Sequence, residues 1–364
     1  MISPTQDIDV REILRRYSAR EGAVYHDGTG GDQFCSNRCP PRRSPVQTVP
    51  GGFSGARIWR VETAVGPCAL RSTPASQVDL ARLAGLHRLL AHVGTAGMMQ
   101  VPVPLTALDG TTFFEMRGQV WQLEPWMPGA ADFWTNPDSA RLSAAMICLA
   151  RWHVAAARFQ PHESECAWFF SNPAGRSPGL AERARKIARR NGPECDALRH
   201  KLASCAWKEF AEMGRSILDH FVRLAPRVES QLKFGLEAVV PLQPCLRDIW
   251  HDHVLFTGNE VTGLIDAHAS RSDCVATDLA RLLGSLVRDD RARWDAGLAA
   301  YQTVRPLALS ELALVALFDQ SAVLLGGMTW LDWVCLEGRT FDDREKVLER
   351  LRKIVARLEM LAGK

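Results

Sequence analysis

The fold is decided by one stretch of the chain, "LRDIWHDHVLFTGNEVTGLIDAHAS", residues 246–270. One aspartate, Asp248, stands in a polar loop before the apolar "VLF", and a second, Asp266, follows the apolar "GLI". Two short apolar runs with Gly258 and Asn259 between them are typical of a β-hairpin. Because strands bury their apolar side chains while loops stay at the surface, the pattern predicts two carboxylates that project into one shared cleft.

Two carboxylates in one cleft suit the transfer of a phosphoryl group. One carboxylate can orient a hydroxyl and accept its proton, while the other can hold a hard divalent cation through oxygen. Phosphoryl transfer needs little covalent help from a protein beyond alignment of the nucleophile and neutralisation of charge by metal. The pair of aspartates therefore provides the groups that phosphoryl transfer needs.

The composition of the chain is ordinary for a soluble globular protein. The chain has 364 residues, enough for two lobes, of which 46% are hydrophobic and 23% are charged. Its formal net charge of +3 is well short of that of a nucleic-acid-binding protein. The N-terminal residues are polar, and no apolar run reaches the roughly 18 residues of a membrane span. We therefore expect a cytoplasmic protein with no membrane or nucleic-acid partner.

Three parts follow one another along the sequence. Residues 1–47 predict an N-terminal helix and a flexible loop, because residues 26–50 are rich in Gly, Pro, Ser and Arg and have no apolar period. Residues 48–127 contain short β-like runs and predict a small lobe with a hinge at its end. Residues 128–364 predict a larger helical lobe, which carries the hairpin and an insert for substrate binding.

Periodicity places the individual elements. A helix is predicted from about Ser76 to His92, where leucines recur at helical spacing. The predicted strands of the small lobe are "ARIWRVET", "PCALRS", "PVPLTAL", "TTFFEM" and "QVWQLEPW". After Pro137 the hairpin is the one predicted β element, among helices at about 139–158, 180–190, 196–227, 276–288, 290–303, 308–336 and 341–362.

The two aspartate loops resemble those of the aminoglycoside phosphotransferase/choline kinase-like family, whose members are relatives of the protein kinases. Kinases carry an H-R-D-L-x-x-x-N catalytic loop followed by a D-F-G metal loop. In "LRDIWHDH", Asp248 takes the place of the catalytic aspartate, Arg247 precedes it, and His253 stands where the pattern has Asn. In "IDAH", Asp266 takes the place of the metal-binding aspartate.

The resemblance extends to four more elements in the family's order, over roughly residues 48–340. The segment "GGFSGARIWRVET" looks like the Gly-rich first hairpin, and "CALR" looks like the strand that presents a cation, here Arg71. The segment "VWQLEPWMPG" looks like the hinge whose backbone meets adenine, and "ATDLARLLGSL" like the helix after the metal loop. The Gly-rich and hinge segments are weak signals individually, but six elements in the right order are a strong one.

The resemblance implies an α+β, bilobal protein-kinase-like fold, with a small antiparallel β-sheet N-lobe that binds nucleotide and a larger, mainly helical C-lobe. It implies an ATP-dependent enzyme that moves the γ-phosphate to a hydroxyl of a small-molecule acceptor. ATP and Mg²⁺ are the implied cofactors, with Mn²⁺ as an alternative ion. The implied site residues are catalytic Asp248 and Arg247, metal-binding Asp266 and His253, and nucleotide-binding Gly51, Gly52, Ser54, Gly55, Arg71, Glu124 and Trp126.

His253 is the main departure from the family pattern. A neutral imidazole offers only nitrogen to a metal, which suits Mn²⁺ or Zn²⁺ better than Mg²⁺. Alternatively, His253 fixes the loop through a hydrogen bond to Asp248 without binding metal. His251 and His268 could join His253 and Asp266 in a three-histidine metal site, or they could be a surface residue and a packing residue.

The partner of Arg71 is a second departure. Kinases pair the strand cation with a helix glutamate, yet residues 75–100 contain no Glu and only one acid, Asp79. His87 could supply a hydrogen bond instead, or it could face the core. Asp278, in "ATDLARLL", could cap its helix or brace the catalytic loop.

The sequence does not identify the acceptor. Residues 176–201 contain eight Lys or Arg against three acids, which would repel a polycationic aminoglycoside if this surface lined the pocket. Two other functions stay open at this point. A catalytically silent kinase-like module, binding nucleotide or a partner, would explain the departures at Leu246 and His253. A zinc hydrolase would use the histidines.

Overall fold

The computed structural model shows a small β-rich lobe joined to a larger helical lobe. It describes residues 10–17, 46–49, 56–190, 192–341 and 343–363. The predicted phosphate-binding residues Gly51, Gly52, Ser54 and Gly55 lie outside these ranges, as does most of the loop predicted at 26–50, so these predictions stay predictions.

The small lobe is built on one antiparallel sheet. Its five strands lie in the order β1-β2-β3-β5-β4, with β3 at the centre. The strands are β1 Val46–Val49, β2 Arg57–Thr63, β3 Gly66–Pro74, β4 Phe114–Met116 and β5 Gln119–Pro125. The backbone of β1 pairs with β2, so the prediction of a loop is wrong for these four residues.

Strand alternation sends different side chains to the two faces of this sheet. Leu70 of β3 and Leu123 of β5 lie opposite each other on the face that packs against the short helix α1, Val10–Leu14. Arg71 and Gln122, the next pair along these strands, lie on the other face. The first face closes the core of the small lobe, and the second presents polar groups to the larger lobe.

Helix α2, Leu80–Thr95, connects the two lobes. Its N-terminus is capped by Asp79, whose carboxylate accepts the backbone N–H of Arg82 at 3.0 Å. Leu86 and Leu90 are buried in the core of the larger lobe. The helix begins later than predicted because Ala75–Gln77 form a 3₁₀ turn first.

The larger lobe is mainly helical. Helix α9 packs against both α6 and α7 at its centre, and α3 packs against α8. Within the described residues the helices are α3 Ser139–Ala156, α4 Pro178–Arg189, α5 Pro193–Ala203, α6 Lys208–Leu236, α7 Ala276–Leu286, α8 Arg291–Gln302, α9 Leu309–Leu331 and α10 Arg344–Ala362.

The longest apolar helix is a core element of this lobe. The segment Leu309–Leu336, which is α9 with the π turn that follows it, is long and apolar enough to cross a membrane by length and composition. Core helices of globular proteins pass the same test, and 44% of the apolar window is buried in the fold. Asp319 interrupts its apolar surface and pairs with Arg357 of α10 at 2.9 Å. These contacts are those expected of a core helix.

Two small sheets interrupt the helices of the larger lobe. The predicted hairpin is confirmed, since β8 Val254–Thr257 and β9 Glu260–Leu264 are antiparallel and Gly258 turns between them with φ +59°. A second sheet, which the sequence does not predict, has the order β10-β7-β6. Its strands are β6 Asn172–Gly175, β7 Val240–Cys245 and β10 Arg271–Asp273. Because β7 leads into the Asp248 loop and β10 follows the Asp266 loop, this sheet holds the two loops together.

Two predicted elements differ from the structure at prolines. The helix predicted at 196–227 is two helices, α5 and α6, and α6 continues past Pro226 to Leu236. Proline removes one helix hydrogen bond, but buried side chains on both sides of Pro226 keep the helix continuous. The strand predicted at "PVPLTAL" does not form, because Pro102 and Pro104 have no N–H for a sheet ladder.

Candidate active site

The loop that carries Asp248 is held in place through its backbone. The loop leaves β7 at Cys245, and the N–H groups of Leu246 and Arg247 donate to the two carboxylate oxygens of Asp278 at 2.7 and 2.6 Å. Asp278 is fully buried in the first turn of α7. Of the two alternatives for Asp278, bracing of the catalytic loop is therefore the one observed.

Asp278 is itself oriented by a buried histidine that the sequence analysis missed. His153 lies 3.0 Å from the Asp278 carboxylate through Nε2 and 2.8 Å from the Tyr301 hydroxyl through Nδ1. Burial lowers the pKa of His153, so the neutral ring donates from Nε2 and accepts at Nδ1. His153, Asp278 and Cys245 have the spacing of metal ligands, but both nitrogens of His153 and both oxygens of Asp278 are already hydrogen-bonded. These residues therefore fit a hydrogen-bonded brace better than a metal site.

The side chain of Arg247 binds acids of other elements. Its Nη2 donates to Glu182 of α4 at 2.8 Å, and its Nε lies 3.8 Å from the buried Asp273 of β10. Its backbone has φ +64°, in the left-handed region that L residues rarely adopt, and the bond to Asp278 holds it there. These contacts indicate a positioning role for Arg247, and its predicted catalytic role stays a prediction.

The side chain of Asp248 is 50% exposed and is bound at one oxygen. Arg281 of α7 donates to Oδ1 through Nη2 at 2.8 Å and through Nε at 3.2 Å. No hydrogen bond from the described part of the chain reaches Oδ2. This oxygen is therefore free to accept a hydrogen bond from a bound molecule.

Asp266 follows β9 with a left-handed backbone, φ +59°. Its Oδ1 accepts hydrogen bonds from His268 Nδ1 at 3.2 Å and from Arg71 Nη2 at 3.4 Å. Burial acts to raise the pKa of Asp266, but the His268 hydrogen bond and the Arg71 charge outweigh it and hold the pKa below its ordinary value. The carboxylate is therefore anionic at neutral pH, and 41% of its side chain is exposed to an approaching cation.

One imidazole ring joins the two aspartate loops. His253 Nδ1 lies 2.9 Å from the backbone carbonyl of Asp248, and its Nε2 lies 3.6 Å from Asp266 Oδ2. Since a carbonyl only accepts, Nδ1 carries the proton, and Nε2 accepts the indole N–H of Trp250 at 2.8 Å. The loops that carry the two aspartates thus meet at His253. Ligation through Nε2 would require the Trp250 bond to break, so these contacts favour bracing, and metal binding by His253 stays a prediction.

The three histidines do not form one metal site. The ring of His251 stacks on Trp134 with centroids 3.9 Å apart, and its Nε2 lies 3.3 Å from Asp252. Only His253 and His268 contact Asp266 among the histidines of the described ranges. The three-histidine hypothesis is therefore not supported, and a zinc hydrolase built on it loses its basis.

Residues 45–315 match the phosphotransferase enzyme family. The chain belongs to this family. Among curated relatives, the homoserine kinase of Brucella anthropi is 24% identical over 276 residues, which is 73% of each chain. The homoserine kinase of Methylobacterium nodulans is 39% identical over 142 residues, which is 35% of this chain and 43% of that protein.

Solved structures of other phosphotransferases share the fold. A spectinomycin phosphotransferase, in complex with ADP and spectinomycin, superposes with a TM-score of 0.62 at 13% identity and covers 86% of this chain and 92% of its own. An amicoumacin kinase, in complex with AMP-PNP and Ca²⁺, gives a TM-score of 0.57 at 13% identity, with 85% and 87% covered. The predictions of the family, the bilobal kinase-like fold and a small-molecule phosphotransferase are confirmed, and the silent alternative is not favoured.

In this phosphotransferase, helix α2 reaches Asp266 through neutral side chains. Gln122 Nε2 lies 3.0 Å from His268 Nε2, and Gln122 Oε1 lies 3.2 Å from His87 Nε2. His87 Nδ1 lies 2.7 Å from the hydroxyl of Thr112. We call the four residues Thr112, His87, Gln122 and His268 the α2 relay.

The donors and acceptors follow one another along the α2 relay. The amide nitrogen of Gln122 donates to His268 Nε2, so His268 Nδ1–H is left to donate to Asp266. The amide oxygen accepts His87 Nε2–H, so His87 Nδ1 accepts the hydroxyl of Thr112. Burial lowers the pKa of His87 to about 3, which keeps its ring neutral. His87 is therefore buried and bonds to Gln122 and Thr112, whereas Arg71 pairs with Asp266. The α2 relay fixes the tautomer of His268.

We expect Gln122→Leu to weaken the binding of metal–nucleotide by roughly tenfold, because His268 loses the partner that orients it toward Asp266. Gln119→Leu is the matched control, since Gln119 of the same strand accepts from Ser72 at 2.9 Å, outside the α2 relay. Calorimetric titration with ATP, with and without Mg²⁺, measures the effect. An equal loss of affinity without metal would indicate general damage to the sheet and contradict a positioning role.

Arg71 and Glu124 present charged groups from the sheet to the same cleft. Arg71 is only 8% exposed on the central strand, so a solvent-exposed sheet edge is not its environment. Glu124 of β5 is also buried, and this burial raises its pKa to about 7, against the lowering effect of the Arg71 charge. The predicted role of Glu124 is to bind adenine through its backbone. In the structure its carboxyl group also lies at the cleft.

The backbone N–H of Trp126 is used within the sheet. It donates to the carbonyl of Pro67 at 2.9 Å, and Pro125 has no N–H to offer. The ring of Trp126 lies under Arg60, with the guanidinium carbon 5.3 Å from the ring centroid. The backbone N–H of Trp126 is therefore not available for the adenine binding that is predicted for the hinge. The next backbone N–H along the hinge is that of Met127.

A cavity of about 1040 Å³ opens beside Asp248 on the helical lobe of the phosphotransferase. Eleven Lys or Arg side chains and seven Asp or Glu side chains line it, so its charge is positive. Four of the basic residues belong to the basic run at residues 176–201 of the insert, namely Arg183, Lys186, Arg189 and Arg190. The insert thus lines the cavity. The positive charge of the insert therefore disfavours a polycationic acceptor, as the sequence analysis expects for this case.

Proposed function

We propose that this chain transfers the γ-phosphate of ATP to the hydroxyl of a small hydroxy amino acid, with homoserine as the first candidate. One observation carries the proposal, namely that the ring of His253 contacts the Asp248 loop and the Asp266 carboxylate together. Phosphoryl transfer requires a nucleophile-orienting group and a cation-binding group side by side, and few other reactions use such a pair in a kinase-like cleft.

The geometry suggests a role for each oxygen of Asp248. Oδ1 is bound by Arg281, which holds the carboxylate in one orientation. Oδ2 faces no hydrogen-bond donor from the described residues, so it would accept the hydrogen of the acceptor hydroxyl and take its proton. Asp248 would therefore orient the nucleophile and act as base.

The residues near Asp266 fit a divalent cation. The carboxylate is anionic, and its Oδ2 accepts no hydrogen bond from the described ranges, which leaves one hard oxygen for an ion. Mg²⁺ is the ion we propose, with Mn²⁺ as the alternative if His253 turns its Nε2 from Trp250 to the metal. When bound, such a cation neutralises charge on the phosphates, and Arg71 would add a second positive charge beside it.

The acceptor class is inferred from two independent features. Relatives that match over about three quarters of this chain are named homoserine kinase. The positive cavity beside Asp248 favours an acceptor without multiple positive charges. A cytoplasmic location and the lack of membrane and nucleic-acid partners stay predictions.

With ATP and Mg²⁺, we expect kcat/KM for L-homoserine to exceed that for spectinomycin by roughly 100-fold, because like charges in the cavity oppose a cationic acceptor. Phosphorus NMR of the products and coupled detection of ADP measure the transfer. Phosphorylation of spectinomycin but not of homoserine would contradict the acceptor class. Metal-dependent ATP binding with no acceptor phosphorylated, in a broad panel of hydroxyl compounds, would instead support the silent module.

A further inference from the structure

Two guanidinium groups meet over one tryptophan ring in the acceptor cavity. Trp250 follows Asp248 by two residues, and the guanidinium carbon of Arg350 lies 4.2 Å from its ring centroid. The guanidinium carbon of Arg281 lies 5.9 Å from the same centroid. Because Arg281 comes from α7 and Arg350 from α10, two separate helices bring positive charge to the ring next to the predicted base.

The two arginines differ in their partners. Arg281 is bound to Asp248, but Arg350 has no carboxylate within ion-pair distance among the described residues. Burial and the like charge of Arg281 both lower the pKa of Arg350, and the charges of Asp252 and Asp248 only partly offset them. A largely buried cation beside a like charge is costly unless an anion binds to it. Within the described residues, Arg350 therefore has no anion that neutralises its largely buried charge.

The adjoining part of the cavity wall is also positive. The ring of Trp134 has Lys353 Nζ 4.4 Å and the guanidinium carbon of Arg288 4.8 Å from its centroid. Lys353 is paired with Glu349 at 2.6 Å. The acids on this wall are Asp248, Asp252 and Glu349, facing the cations Arg281, Arg288, Arg350 and Lys353. The wall thus retains positive charge after its internal ion pairs are formed.

We propose that Arg350, backed by Trp250, binds an oxyanion of the acceptor, a carboxylate or a phosphate, while the acceptor hydroxyl lies at Asp248. The proposal rests on the proposed function, since it places the acceptor of that reaction. A guanidinium group binds two oxygens of a planar or tetrahedral oxyanion at once, and the indole ring beneath it holds its orientation. Arg281 stays bound to Asp248, so the two arginines divide their tasks.

The subsite gives the enzyme a means of choosing its acceptor. An acceptor without an oxyanion leaves Arg350 unpaired, and a cationic acceptor places like charges together. The structure thus assigns the selection of the acceptor to Arg350 on α10. Arg350 contacts one end of the acceptor, and Asp248 contacts the hydroxyl at the other end.

The kinetic test compares Arg350→Gln with Arg352→Gln. Arg352 lies on the same helix, is 56% exposed and pairs with Glu345, so it is a matched control outside the cavity. With L-homoserine, Arg350→Gln should raise KM roughly 10- to 100-fold, because a charge-assisted bidentate contact is lost. With homoserine amide, which lacks the carboxylate, KM should not change. An equal change for both acceptors, or an unchanged KM for homoserine, would overturn the proposal.

Anion binding without turnover separates this proposal from the proposed function. Calorimetric titration with acetate and with inorganic phosphate, in the presence of ADP, should show binding by the wild type and Arg352→Gln. Arg350→Gln should lose roughly tenfold or more in affinity, and the anion that binds more tightly identifies the class of oxyanion. Binding that depends on Arg350 with no acceptor phosphorylated would refute the proposed function and leave the subsite intact. Failure of the wild type to bind either anion, or equal binding by Arg350→Gln, would refute the subsite.

Discussion

Asp248→Asn is expected to lower kcat by about 10³-fold while nucleotide affinity and melting temperature stay close to those of the wild type. An amide cannot take the proton of the acceptor hydroxyl, so the chemical step loses its base. The loop should stay in place, because it is held by backbone bonds to Asp278 and not by the side chain of Asp248. Phosphate transfer measured by coupled ADP release, nucleotide titration and thermal unfolding together test this expectation.

Asp219→Asn controls for the loss of a carboxylate. Asp219 lies on α6 with 72% of its side chain exposed, outside the cavity, so its change should leave kcat unaltered. Full phosphate transfer by Asp248→Asn would remove Asp248 from the reaction. A large fall in its melting temperature would instead show that the side chain stabilises the loop, contrary to the contacts described above.

Asp266→Asn is expected to weaken metal-dependent binding of ATP by about 10²-fold or more and to lower phosphate transfer in parallel. The substitution keeps the size of the side chain but removes the negative charge that a divalent cation requires. It also removes the anion that Arg71 and His268 both contact, so these two groups lose their common partner. Titration of ATP in Mg²⁺, in Mn²⁺ and in chelator separates the metal-dependent part of the affinity.

Glu260→Gln is the control for this change. Glu260 is exposed at the start of β9, the strand that leads to Asp266, so its substitution tests for general damage to the hairpin. Its ATP affinity should match that of the wild type in every condition. If Asp266→Asn kept the full difference between Mg²⁺ and chelator, the metal site would have to lie elsewhere.

The hairpin and its two aspartates could be predicted because their signals are local. Strand alternation, a Gly-Asn turn and a polar loop at each end are all contained within residues 246–270, and the structure shows the hairpin where the pattern places it. The order of the kinase-like elements could also be predicted from the sequence, since each element is a short contiguous motif. Most helices are near their predicted positions for the same reason, although α6 continues past Pro226, where local preference favours an end.

The three-stranded sheet behind the aspartate loops could not be predicted in this way. Its strands, β6, β7 and β10, are short, and two of them lie more than sixty residues apart in the chain. Pro241 and Pro244 make β7 a poor strand by local preference. Only pairing with β6 and β10 makes it one, and pairing between distant segments leaves no periodic signal in either of them.

The same distinction between local signals and contacts of distant segments applies to the roles of the individual site residues. Asp248 and Asp266 stand out in the sequence because of the loops around them. The positioning role of Arg247 depends on Glu182 and Asp273, and the bracing of Asp278 depends on His153, which lies 125 residues away. The role of a side chain depends on the acid or base that it contacts. The spacing of residues along the chain does not identify this contact partner.

The sequence by itself identified the two candidate carboxylates, the hairpin that they flank and the two lobes of the fold. The tertiary structure alone decided how His253 uses its two nitrogens, that the α2 relay reaches Asp266, and that Arg350 lies over Trp250 with no carboxylate of the described residues within ion-pair distance. The physical reason is that hydrogen bonds and ion pairs depend on distances and directions of an ångström or less between groups from separate elements. Such distances are set by how helices and sheets pack, which a local pattern does not specify.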